Sequence, residues 1–242
     1  MWKRWQEAQS NYQQNQITII ENQKTRIKFK DKVILIGAGE SVTSEIENLK
    51  NLDLSNVTVC CCDRSYKYLY ETIRIDYVFT LDPMDVEFFK GVSKFESILI
   101  AYSGTSSDRI KDWKGKIYFV EHRSDDGIIL DDKLKKYIAG TNVFNTAISI
   151  IKTENYNAEI LTIGNELMFK DYYYFWETER FKIKCWKGFI NIDGIYKTTK
   201  GFYEAAKWLS KNIKSKYLNF IYTTSPGLVP KIPVIQIKDF IN

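Results

Sequence analysis

Val33-Ile34-Leu35-Ile36-Gly37-Ala38-Gly39-Glu40-Ser41-Val42 decides how this chain is read. Its four leading residues are apolar without alternation, the pattern of a parallel strand covered on both faces. Gly37 and Gly39 follow, where the missing Cβ permits a tight turn and close approach of backbone to a ligand. Ser41 stands where it would cap a helix running through Ile46 and Leu49. Free N–H groups at such a helix start attract an anion. A phosphate-bearing ligand is therefore expected above the end of the first strand, with Gly37, Gly39 and Ser41 around it. A plain tight turn is the competing reading. The dinucleotide fingerprint needs a third small residue where Val42 stands, although Asp63, about twenty residues on, falls where an acid would hold a ribose.

Outward from that stretch, apolar runs alternate with helical spacing. Val57 to Cys62 reads as a second strand ending at Asp63, and Tyr66, Leu69, Tyr70 and Ile73 share a helix face. Tyr77 to Leu81 is a third strand, ending at Asp82-Pro83. Ser97 to Ala101 is a fourth, followed by Tyr102-Ser103-Gly104, and Ile117 to Val120 a fifth, followed by Glu121-His122. This alternation predicts an α/β fold, a mostly parallel sheet with helices on both faces. In such sheets the ligand lies outside the carboxyl ends of the strands. Asp63, Asp82, Ser103 and Gly104 all fall there, with Glu121 and His122. Each alone is compatible with an ordinary turn; their recurrence argues for a polar ligand.

Further along, Leu130 to Ala139 is expected to be helical. Gly140-Thr141-Asn142 opens a helix to Lys152, with Thr141 or Asn142 capping it or meeting a ligand. Ile160 to Ile163 is a strand ending at Gly164-Asn165-Glu166. Residues 167–197 are crowded with aromatic side chains and read as a flap, either a lid that stacks on a base or sugar or a packed surface element. Within it Arg180, Lys182 and Lys184 alternate with apolar residues as on a strand, and Asn191 to Ile195 holds a hairpin turn. Thr199 to Lys216 is an amphipathic helix, Leu218 to Tyr222 a late strand, and Val234 to Phe240 closes this helix–strand extension. At the other end, Met1 to Gln16 is expected to be a helix whose Trp2 and Trp5 dock on the domain or on a partner subunit, which leaves oligomerisation open. The organisation expected is an N-terminal helical segment (1–30) and a single nucleotide-binding domain (31–242).

Composition narrows the class. The chain has 242 residues, 44% hydrophobic and 27% charged, enough for a sizeable core. Its 35 basic and 30 acidic residues leave a formal charge of +5, spread without a basic block. That suits an anionic small ligand and is poor support for a nucleic-acid partner. Cys60, Cys61 and Cys62 are consecutive in an apolar run and Cys185 is alone, so buried reduced thiols are expected rather than a metal site. No apolar run is long enough to span a bilayer and no signal-peptide core is present, so a cytoplasmic protein is expected. His122 is the single histidine, and a structural role is the first expectation for it.

Taken together, these stations resemble the motility-accessory-factor and 6-hydroxymethylpterin-pyrophosphokinase (MptE)-like family, related in fold to bacterial sialyltransferases. Ile36 to Val42 resembles the family's glycine-proline-serine-leucine loop, with Glu40 in place of proline. Asp63, Ile75 to Val78 and Leu81-Asp82-Pro83 resemble its second and third strand ends. Gly140 to Ala147 resembles its Gly-Ser-Val helix start, and Ile163 to Glu166 its Gly-Gln-Asp segment. Asp193 to Thr198 and Thr223 to Leu228 resemble its closing motifs. The resemblance implies a Rossmann-like domain with a nucleotide in the glycine-loop cleft. It also implies one of two chemistries. One is transfer of a sialic-acid-like (nonulosonic) sugar from a CMP-activated donor to an acceptor such as a surface protein or glycan. The other is ATP-dependent pyrophosphate transfer to a pterin alcohol, for which magnesium would be required and Asp85 would assist Asp82. A nucleotide-binding module without catalysis is the third reading. On the leading reading Gly37, Gly39, Ser41, Thr141, Asn142, Gly164 and Asn165 hold phosphate and base. Asp63 and Asp82 hold ribose or sugar hydroxyls, Asp82 also serves the reaction, and Ser103 and Gly104 complete the cofactor-binding set. Sialyltransferase-like members carry a histidine soon after the Gly164-Asn165-Glu166 segment; this chain has none there, and Glu166 becomes the candidate base, with His122 the other candidate.

Overall fold

The computed structural model describes residues 2–123, 129–138, 140–170, 174–177, 189–213, 220–229 and 232–241. The chain opens with helix α1 (Trp2–Glu21), longer than expected, and then alternates. Strand β1 (Lys32–Ile36) leads to α2 (Val42–Lys50), β2 (Val57–Cys62) to α3 (Asp63–Leu69), and β3 (Tyr77–Thr80) to β4 (Ile98–Tyr102). Then come α4 (Ser107–Asp112), β5 (Ile117–Arg123), β6 (Lys136–Ile138), α5 (Val143–Glu154) and β7 (Glu159–Ile163). The last elements are β8 (Phe189–Ile192), β9 (Tyr196–Thr199), α6 (Lys200–Ile213), β10 (Ile221–Thr223) and α7 (Ile237–Ile241).

Eight strands form one parallel sheet in the order β10-β7-β1-β2-β3-β4-β5-β6, and β8 and β9 make a separate antiparallel hairpin. The unbroken apolar runs of the sequence have their cause here. Val33 and Leu35 face a layer built by α5 and α6, whereas Ile34 and Ile36 face one built by α2, α3, α4 and α7. Both faces are covered, so alternation has no work to do. The cysteines obey the same rule, Cys60 and Cys62 facing the first layer and Cys61 the second, all buried as free thiols. Burial pushes all three thiols well above their usual range, so they are not poised as nucleophiles. Cys185 lies outside the described residues.

One expectation needs correction, and two others gain their place in the fold. Residues 130–139 contain the edge strand β6 and not a helix. The exposed side of β5 needs a partner for its backbone, and Glu121 N–H donates to Lys135 O (2.9 Å) while Tyr137 alone of β6 turns inward. Tertiary pairing overrides local helical spacing. Second, β10 joins the main sheet beside β7, and the chain closes on a helix, α7. Third, α1 lies across the carboxyl ends of β3 and β4. Asn15 donates to the Ser103 and Thr105 carbonyls (3.0 and 2.9 Å), and Asn11 to those of Pro83 and Gly104 (2.9 and 3.3 Å). The hairpin turn expected near Asn191 is present, with positive φ at Asp193 (49°) and Gly194 (80°). Among the described residues no helix is long and apolar enough to cross a membrane.

Candidate functional site

Strand order reverses at β1, with β2 to β6 on one side and β7 and β10 on the other. A crevice outside the carboxyl ends is expected at such a reversal. A cavity of about 640 Å³ lies there, walled by the segments that follow β1, β2, β3 and β7 and by the start of α5.

The β1 and β7 corners are packed directly on each other. Gly37 N–H donates to Ile163 O (2.7 Å) and Gly39 N–H to Gly164 O (2.9 Å). Gly164 has φ +69°, and a Cβ there would strike Val42. A Cβ on Gly37 would strike the Gly164 carbonyl oxygen, and one on Gly39 would strike the Glu166 carboxylate. Both glycines line the cavity, and the space left by their missing side chains and their N–H groups meet the β7 corner. Gly37→Ala is accordingly expected to cost about 1–3 kcal/mol through overpacking against backbone that cannot retreat, read by urea unfolding. A variant as stable as wild type would mean that the two corners can separate.

Ser41 is corrected as a cap: it makes no side-chain cap hydrogen bond on α2. Its hydroxyl donates to Glu166 Oε1 and accepts from Gly164 N–H (3.1 Å). Glu166 is 8% exposed, and Oε2 has no hydrogen-bond partner among the described residues. The loop after β10 fixes its backbone, with Leu228 N–H donating to Glu166 O (2.8 Å) and Gly227 lying too close for any Cβ. Burial pushes the carboxyl above its ordinary range; the Ser41 hydroxyl and its own backbone N–H oppose the shift, and the Glu40 charge adds to it. Three segments converge to hold one buried carboxylate at the cavity with an oxygen to spare.

Asp63 is a different kind of acid. It is 3% exposed and accepts from Thr80 Oγ1 (2.7 Å) and Arg64 N–H (2.8 Å). Arg109 lies 3.8 Å from its Oδ2 and is linked to it through the Thr80 hydroxyl (3.0 Å). Burial pushes Asp63 up and Arg109 down, with their mutual attraction opposing both shifts. Arg109 also donates to the carbonyls of Asp82 (3.0 Å) and Met84 (2.7 Å), so the buried pair ties down the segment after β3. Asp63 and Asp82 both line the cavity, the latter accepting Met84 N–H through Oδ1 (3.0 Å).

Asn142 caps α5, accepting Asn145 N–H at 2.8 Å, and Thr141 beside it is exposed; both line the cavity, as do Gly164 and Asn165. Ser103 and Gly104 do not. Ser103 is buried and donates to Glu121 (2.7 Å), while Gly104 packs against Ala8 under α1. Nothing is described of the His122 side chain. Sequence reasoning missed Arg4 and Trp5 of α1, Arg64, Phe88 and Phe202 in the cavity wall, where Tyr174 of the expected flap joins them. Arg64 had a readable signal, its position beside Asp63 at a strand tip. The others reach the cavity only because distant segments fold over it. Within the flap, Phe175 N–H donates to Ala38 O (3.0 Å), and Trp176 is stacked between Tyr68 and Tyr174. The alternating run at Arg180, Lys182 and Lys184 lies outside the described residues.

Magnesium bridged by a nucleotide's phosphates needs one or two protein carboxylates. Among the described residues no group of three or more His, Cys, Asp or Glu comes together as a metal cluster. Asp82 fits the smaller requirement, and Asp85 is tied to Ser106 (3.4 Å) on the same segment.

Residues 6–171 match the family model described as 6-hydroxymethylpterin diphosphokinase MptE-like. The chain belongs to the MptE-like family. Among solved structures, it is similar to the MAf glycosyltransferase from Magnetospirillum magneticum AMB-1, with a TM-score of 0.61 at 12% identity. That likeness covers 89% of this chain and 35% of the other, so the MptE-like chain spans about a third of the larger protein and shares a fold with that part. No curated protein matches it by sequence. The family description supports a transferase-type function.

Proposed function

We propose that this chain is a nucleotide-sugar-dependent glycosyltransferase whose donor is a CMP-activated, sialic-acid-like sugar. Residues 31–242 act as one nucleotide-binding unit, with 1–30 packed on it, in a cytoplasmic protein. The observation that carries the reading is the buried Glu166 carboxylate, one oxygen held by Ser41 and the other unpartnered among the described residues at the cavity. Burial raises its pKa, which makes the ionised carboxylate a stronger base. The Glu166 carboxylate takes the proton of an acceptor hydroxyl as the hydroxyl oxygen bonds to the anomeric carbon. The bond from that carbon to the phosphate oxygen breaks, and CMP leaves with the electron pair. Asp82 and Asp63 bound the sugar, Thr141 and Asn142 the nucleotide, beside Gly164 and Asn165. The acceptor is a surface protein or glycan.

A second reading, ATP-driven diphosphate transfer to a pterin alcohol, is favoured by the family description. It would use the same base, with Asp82 holding magnesium when present. A third keeps nucleotide binding without chemistry. Thermal-shift measurements with CMP, CDP, ATP, ADP and NAD, with and without magnesium, separate them. A ligand at about 100 times its Kd stabilises by about 2.7 kcal/mol. CMP or CDP is expected to give that shift without magnesium, with CMP-sugar hydrolysis following. Magnesium-dependent stabilisation and turnover with ATP selects the second reading, and stabilisation with no turnover the third. A response to NAD alone counts against both transfer readings.

A further inference from the structure

Arg64 lines the cavity beside Asp63, whose carboxylate feels its charge without a direct contact to the guanidinium. Its backbone N–H is used by Asp63, but its guanidinium makes no hydrogen bond or ion pair with any described residue. The neighbouring Arg109 is the contrast, since its donors go to Thr80, Asp82, Met84 and Val86. What Arg64 does have is two aromatic faces. Its guanidinium carbon stands 4.8 Å from the Phe88 ring centre and 5.4 Å from that of Tyr174. Such contacts use the charge of the cation and none of its N–H donors. They leave the N–H fork at its edge, the geometry that matches two oxygens of one anion. The carboxylates that share the cavity are occupied elsewhere, Asp63 with Thr80 and Arg109, Asp82 with Met84 N–H and Glu166 with Ser41.

We propose that Arg64 is the anion-recognition residue of this cavity, taking two oxygens of one phosphate or carboxylate group of the ligand while Phe88 and Tyr174 hold its plane. The inference rests on the reading of the cavity as a nucleotide-sugar site, where the oxygens come from the nucleotide phosphate or from the carboxylate of the sugar. A purely structural Arg64, clamping the flap residue Tyr174 to Phe88, needs no anion.

The test compares wild type with Arg64→Met, which keeps the unbranched stem between the rings, and Arg64→Lys, which keeps charge but not the fork. Pyrophosphate, N-acetylneuraminic acid, CMP and ATP are the probes, at matched ionic strength, read by thermal shift and calorimetry. Wild type is expected to bind at least one bare anion. Arg64→Met should weaken that anion by about 10- to 100-fold and Arg64→Lys should restore part of it, with ligand-free melting temperatures close to wild type. Loss confined to pyrophosphate and CMP assigns the phosphate as the source, and loss confined to N-acetylneuraminic acid assigns the carboxylate. If Arg64→Met does not fold, Arg64→Lys decides alone, because unchanged affinity without the fork overturns the proposal. CMP or ATP stabilising wild type and both variants equally would leave the nucleotide reading standing and remove the role of Arg64. Pyrophosphate binding lost in Arg64→Met, with no added gain from CMP or ATP, would keep the anion site and remove the nucleotide. A wild type that responds to neither bare anion overturns the proposal.

Discussion

Glu166→Gln is expected to lower kcat by about 10²–10⁴-fold, the usual contribution of a positioned general base. The amide preserves shape and can still accept from Ser41 through its carbonyl oxygen, so the fold should persist. The same change should stabilise the protein at alkaline pH. Burial raises the folded-state pKa of Glu166 above its ordinary 4.5, which means the folded state binds the proton more tightly than the unfolded state does. The stability this group contributes is fully present below the unfolded pKa and is lost as pH rises through the folded pKa. Wild type should therefore melt below the Gln variant at pH 8 and approach it at pH 4. The rate profile should show an acidic limb at the same raised pKa, because the base works only when ionised. Parallel melting curves at every pH, or a kcat within a few-fold of wild type, would remove Glu166 from the chemistry. Activity and stability thus pull in opposite directions at one carboxylate, as expected where a strained group is kept for function.

Arg109→Met is expected to cost about 3–5 kcal/mol, because it leaves the Asp63 carboxylate buried without its cation. Domains of this kind have about 5–15 kcal/mol in total, so the midpoint of urea unfolding should move far toward zero. The loss is not a measure of what the pair contributes. Burial works against both charges here, and an apolar pair of similar volume can be as stable as a buried ion pair. The double variant Asp63→Asn with Arg109→Met should therefore recover a large share of the loss, and the two changes should be strongly non-additive. A single variant within 1 kcal/mol of wild type would show that water reaches Asp63. Beyond stability, Arg109 sets the path of the chain from Asp82 to Val86, so its loss should also weaken any ligand that leans on that wall.

The sheet was readable from the chain because both its faces are buried. Continuous apolar runs such as Val33 to Ile36 and Val57 to Cys62 need no knowledge of their neighbours to be recognised, and the polar residue that ends each run marks the carboxyl end of its strand. That alone puts Gly37, Gly39, Asp63, Asp82 and Glu166 near one crevice. Where a strand depends on an edge, as β6 does on β5, local spacing misled, since its three residues become a strand only through the partner that supplies their hydrogen bonds.

What each polar residue does was decided by packing. Sequence could not tell that α1 would cross Ser103 and Gly104, since that requires Asn11 and Asn15 to reach carbonyls some ninety residues away. Nor could it tell that the bare glycine corner receives the Glu166 carboxylate. A missing Cβ states that something must come close; only the three-dimensional arrangement says what. By itself the sequence determined a parallel α/β sheet with its acids and glycines at the strand tips, because periodicity and chain direction are local. Which acid is paired, which is capped and which keeps an oxygen unused depends on contacts between distant segments, and those are settled by the tertiary structure alone.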